Sequence, residues 1–228
     1  MKQFLKRRLS FTDIFLILVN LVPLWGVWLH NWNAKEVFLV YCLESVIAGL
    51  YNIVMMLMTT LVKKKDEWSN GGASSMVSGY FFILFFIIHY GFFIFIQVGI
   101  FLSIAHIGDL GFADFFTFLF HVRDYLSPAT EQLLLLFIAS YGLIILKDFV
   151  IPGAYKTASL GTLMFSPYAR IFIQQFCVII GGFLLEFDLG KIFIMVFVLV
   201  KIFFEIILNY QKMLEEANKE QVKTEQQV

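Results

Sequence analysis

Six uninterrupted apolar stretches, at about residues 11–29, 36–62, 76–104, 132–151, 168–186 and 190–210, leave this chain few ways to fold. The hydrocarbon core of a bilayer is about 30 Å thick, and a helix rising about 1.5 Å per residue crosses it in roughly 20 residues. All six stretches reach that length. The rest of the composition agrees: 15% of the residues are charged and 60% hydrophobic, where a soluble domain has about a quarter charged. Apolar residues run on continuously instead of alternating, which disfavours membrane-spanning strands. The expected fold is an all-α membrane protein, a bundle of six transmembrane helices forming one domain over residues 1–210. A polar tail, rich in Glu, Lys and Gln, follows at residues 211–228.

Orientation is read from Lys and Arg in the short connections. Lys2, Lys6, Arg7 and Arg8 precede the first stretch, and Lys63, Lys64 and Lys65 follow the second. The first connection, around His30 to Ala34, has neither residue type, and the third has Arg123 against Asp109, Asp114, Asp124 and Glu131. Lys147, Lys156 and Arg170 lie in or beside the fourth connection, and Lys212, Lys219 and Lys223 lie in the tail. Positive charge therefore marks both ends and every second connection, which places both termini in the cytoplasm. The basic start resembles a signal peptide, but Trp25 and Trp28 close its apolar run with no small-residue cleavage site, so the first helix is expected to stay. The third connection interleaves Phe112, Phe115, Phe116, Phe118 and Phe120 with Asp114, His121 and Asp124, the pattern of an amphipathic segment on the outer membrane face. It forms an interfacial segment between the third and fourth spans.

Function classes can be narrowed. Net charge is zero, which argues against a nucleic-acid partner. The lipid bilayer is the partner the composition requires. Cys42 and Cys177 sit inside apolar stretches, and no metal-ligand, nucleophile or phosphate-loop motif occurs, so no cofactor and no metal are expected.

Ionisable and amide side chains inside the spans carry the remaining information, because each must find a partner or a watery cavity. Glu44 and Lys201 come out at comparable depth when about 1.5 Å is counted per residue, and Glu205 can reach Arg170 or Lys201. Glu44, Ala48 and Asn52 fall on one stripe, as do His89, Phe93 and Gln97, and Arg170 with Gln174. Asn20 lies near mid-depth. The stripes are expected to converge on a polar interior built from the second, third, fifth and sixth helices. Two functions fit: a small transporter-like or proton- or ion-coupled protein that handles a small-molecule or ion ligand, and a non-catalytic scaffold or partner subunit whose polar groups only hold helices together.

Several segments occurring in order, Asn20 to Trp25 (NLVPLW), Tyr41, Glu44, Gly49 and Asn52 on one helix, His89-Tyr90-Gly91, Met164 to Arg170 (MFSPYAR) and Gly181-Gly182-Phe183, carry a resemblance. The chain resembles an uncharacterised family of small bacterial integral membrane proteins over about residues 11–205. That resemblance implies a bacterial inner-membrane, multi-pass location and no activity. It also implies that Gln97 and Gln174 stand where family members often have histidine, which argues against a metal or haem site here.

The charge pattern makes a direct prediction. A reporter active only in the cytoplasm should give signal when fused after Lys65 or after Val228, and none when fused near Asp109. Signal at Asp109 would overturn the orientation.

Overall fold

In the computed structural model, residues 9–70, 73–104, 112–187 and 189–204 are described. Helix α1 (Phe11–Leu29) starts at a capping box in which the Asp13 amide donates to Ser10 Oγ at 3.1 Å and the Ser10 amide donates to the Asp13 carboxylate at 2.8 Å. Helix α2 (Ala34–Lys63) is capped by Asn33, whose Oδ1 accepts from the Lys35 amide at 2.9 Å. After it come strands β1 (Lys65–Asn70) and β2 (Ala73–Ser78), then α3 (Gly79–Ile104) and the short α4 (Phe112–Phe120). Helix α5 (Pro128–Ile145) opens with proline in its first turn and closes in a π-helical turn, Leu146–Val150, before Pro152. The short α6 (Leu160–Phe165) precedes α7 (Tyr168–Glu186) and α8 (Gly190–Ile202). Four of these helices, α1, α2, α3 and α5 with its π turn, are long and apolar enough to cross a membrane.

Helix α2 is the axis of the bundle. Its most apolar window is 72% buried, against 33%, 33% and 22% for α1, α3 and α5. Polar groups on a membrane helix turn to the bundle interior, and α2 carries Glu44, Ser45, Asn52, Thr59 and Thr60, all of them buried. It packs against α1, α3, α5, α6, α7 and α8. Around it, α1 touches α5 and α8, α8 touches α7, and α7 touches α3. From Val37 to Ser45 every side chain of α2 is buried, with the Phe38 ring set edge-on to Phe101, Phe193 and Phe197.

The second connection holds a hairpin that the sequence reading did not name. Lys64 ends α2 with φ 62, a left-handed conformation that turns the chain back. The turn opens an antiparallel hairpin pairing Lys65 with Ser78 and Trp68 with Ser75. Alternation explains its attachment: Asp66 and Trp68 share one face. Trp68 packs on Phe81, Phe82 and Phe85 of α3. Asp66 accepts from Lys63 Nζ at 2.9 Å and from the Leu160 amide at 2.6 Å, at the first turn of α6. Burial alone would push the Asp66 carboxyl up, but the Leu160 amide and the Lys63 ammonium outweigh it and hold it below the usual carboxylate range. Lys63 also donates to the Ala158 carbonyl at 3.0 Å, so one end of the bundle is tied by charge-assisted bonds.

Within the third connection, α4 turns Phe115 and Phe118 inward and leaves Phe116 and Phe120 exposed. His106 and Asp109, and the tail at 211–228, lie outside the described residues.

One close approach tests the packing. A Cβ on Gly49 would sit 2.4 Å from the Tyr90 ring, which is itself buried and donates its hydroxyl to the Ser45 carbonyl at 2.8 Å. A Cβ on Gly91 would meet nothing within 4 Å. Gly49→Ala should therefore destabilise the protein in detergent by about 1–3 kcal/mol through overpacking, while Gly91→Ala is neutral or mildly stabilising. Equal melting temperatures for the two variants would refute the tight α2–α3 contact.

Candidate functional site

One turn of α2 carries Tyr41, Glu44 and Ser45, and these neighbours serve two separate polar clusters. On one side, Lys201 of α8 places Nζ 2.8 Å from Glu44 Oε1, and both side chains are only 2% exposed. The ammonium also donates to Asn20 Oδ1 of α1 at 2.5 Å. Asn20 is set for this role because its Nδ2 donates to the Leu16 carbonyl at 2.9 Å, leaving the oxygen to face the cation. Tyr141 of α5 donates its hydroxyl to Glu44 Oε1 at 3.0 Å, and Tyr41 donates to the Asn20 backbone carbonyl at 3.2 Å. The Tyr41 and Phe137 rings stand 5.4 and 5.6 Å from the ammonium. Four helices, α1, α2, α5 and α8, thus meet at a single cation.

The second cluster has no charge. Gln174 of α7 accepts from Ser45 Oγ, accepts from Gln97 Nε2 of α3 at 3.0 Å, and donates to the Tyr41 carbonyl at 3.0 Å. Ser45, Gln97 and Gln174 are all buried. Closer to the hairpin end, Asn52 donates to the Leu163 carbonyl at 3.0 Å and joins α2 to α6.

The structure thus brings together Glu44 with Lys201, and Gln97 with Gln174, and places Asn52 on the same buried stripe as Glu44 and Ala48. His89 departs from the expected interior: it is exposed, with Nδ1 2.7 Å from the Tyr168 hydroxyl. The reason is geometric. Each i to i+4 step drifts about 40° around a helix, so the two ends of the His89, Phe93, Gln97 stripe differ by about 80°. The inward face of α3 instead runs Phe82, Phe86, Tyr90, Ile94, Val98 and Phe101, with Gln97 beside it. The side chain of Arg170 and all of Glu205 fall outside the described residues, and with them the expected pairing of Glu205.

Sequence reasoning left Asn20, Tyr41, Ser45 and Tyr141 out of the site. Depth along α1 was the available signal for Asn20. For Tyr141 no signal existed, since a tyrosine in an apolar stretch looks like any other aromatic. A further cavity of about 370 Å³ lies between α7 and α8, lined by apolar side chains such as Phe172, Phe176, Ile180, Phe193 and Val196. Among the described residues it presents no charged group to a ligand.

Breaking a buried pair by removing one partner strands the other charge. Glu44→Gln and Lys201→Met should each destabilise the protein by roughly 3–5 kcal/mol, and the double variant should lose clearly less than the sum. Purely additive losses in detergent unfolding would show that the two groups do not interact.

No curated protein and no solved structure matches this chain. The model of a family of unknown function, DUF6498, matches residues 3–225, nearly the whole length, and the chain belongs to that family.

Proposed function

We propose that this is a multi-pass protein of the bacterial inner membrane, crossing it six times with both termini inside, and that it is a small transporter-like, proton-coupled protein whose titratable centre is Glu44 with Lys201. In this reading the fifth and sixth crossings run over about residues 168–186 and 190–210, and the Lys and Arg distribution argues for the orientation.

The observation that carries the coupled reading is the buried Lys201–Glu44 pair itself, set against its neighbour. The Ser45–Gln97–Gln174 cluster joins three helices with amides and a hydroxyl alone. Helix joining by itself therefore does not call for charge in this bundle. A buried ion pair costs several kcal/mol in desolvation for each ion and is often no more stabilising than apolar packing. Ionisable groups kept at this depth are the usual parts of proton and ion pathways. Protonating Glu44 would cancel the anion and remove the charge attraction between Glu44 and Lys201, which changes what holds α8 against α2. One proton would thereby alter the contact between the axis and an outer helix.

The scaffold reading is favoured by a different observation: the pair is neutral as a whole and sealed by Tyr41, Phe137 and Tyr141. Flux distinguishes the two. Purified protein in proteoliposomes loaded with a pH-sensitive dye should dissipate an imposed pH gradient, and Glu44→Gln should reduce that flux at least tenfold while remaining folded by circular dichroism. Absence of flux in the unmodified protein, or equal flux in Glu44→Gln, would support the scaffold.

A further inference from the structure

We infer that the outward face of α3 around His89 is a binding site for a flat apolar ring bearing a carbonyl acceptor, the chemistry of a membrane quinone. This inference stands apart from the Glu44–Lys201 centre.

His89 lies ten residues beyond Gly79, about 15 Å along a helix axis, within the candidate membrane span Gly79–Ser103. That depth puts its imidazole in hydrocarbon. The ring is exposed, lies nearly parallel to Phe85 at 5.2 Å and meets the edge of Phe93 at 5.2 Å. Its Nδ1 is engaged by the Tyr168 hydroxyl at 2.7 Å. When that hydroxyl donates, the neutral imidazole carries its proton on Nε2. Among the described residues Nε2 has no hydrogen-bond partner. The result is one N–H donor set in an aromatic collar and facing lipid tails, which contain no acceptor.

The chemistry of the donor selects the occupant. Lipid ester carbonyls lie at the interface, not at this depth. A neighbouring transmembrane helix has already committed its backbone carbonyls to its own hydrogen bonds. A second copy placed symmetrically, His89 to His89, would oppose donor with donor. A quinone-type ring satisfies both features at once: it packs into the collar with its face on one ring and its edge on another, since Phe85 lies nearly parallel to His89 and Phe93 nearly perpendicular to it, and its carbonyl accepts from Nε2–H.

Trp68 gives the site a built-in reporter, since its ring is 6.2 Å from Phe85, which in turn touches His89. Full-length protein in nanodiscs is titrated with decylubiquinone while tryptophan fluorescence is followed. The expected result is a saturable quenching component that is absent in Trp68→Phe and needs at least tenfold more quinone in His89→Phe. His89→Gln, which keeps an amide donor, should recover part of the loss, and dodecylbenzene, which has no carbonyl, should give no saturable component. Quenching that rises without saturation, as from simple partitioning, overturns the proposal, as does unchanged quenching in folded His89→Phe. Cross-linking between copies that depends on His89, without saturable quenching, also overturns it and assigns this face to a second copy.

Discussion

The rest of the bundle depends on neutralising two charges where water cannot reach them. Lys201 and Glu44 come from helices far apart in the sequence, and each is made tolerable at depth by the opposite charge 2.8 Å away. Asn20 and Tyr141 join them, so α1, α5 and α8 are all indexed against α2 by one ammonium and one carboxylate. Dispersion packing between apolar helices is permissive about register, because lipid tails compete on nearly equal terms. A buried pair is not, since sliding any helix by a residue separates donor from acceptor.

Concentrating the polar groups on one turn of α2 has a second effect. Tyr41, Glu44 and Ser45 face different neighbours, so the axial helix receives the charged cluster on one side and the amide cluster on the next at the same height. The Tyr41 main chain serves one cluster and its ring the other. Helices α3 and α7 are thereby indexed against the same level as α1, α5 and α8. Gly49 supports this arrangement one turn further on, by allowing the Tyr90 ring to lie against α2 and reach the Ser45 carbonyl.

Much of this was legible in the sequence, and the reasons for success and failure are physical. Continuous apolar length marked the four helices that are long enough to cross a membrane, because in lipid the backbone has no alternative to a helix. Counting rise per residue set Glu44 and Lys201 at one depth, because a helix is a ruler. Angle was less secure than depth: a 40° error per step was enough to assign His89 to the interior when Tyr90 occupies it. Tyr141 could not be singled out, because its role rests on the hydroxyl alone. The hairpin at residues 65–78 was missed because its signal is a weak alternation, Asp66 and Trp68 against Lys65 and Glu67, inside a short polar connection. The bonds that stabilise it, from Asp66 to Lys63 and the Leu160 amide, reach a segment nearly a hundred residues away.

The separation of the ion pair along the chain bears on how the protein is made. Glu44 precedes Lys201 by 157 residues, and at the usual synthesis rate of roughly 5–20 residues per second that gap lasts about 8–30 seconds. During that interval α2 has been delivered to the membrane with a carboxyl that has no cation, so the group must be held protonated, stay beside the insertion machinery, or remain near water. Arrival of α8 brings the Lys201 ammonium to Glu44, so the charge-paired packing of α8 against α2 is a late event in synthesis.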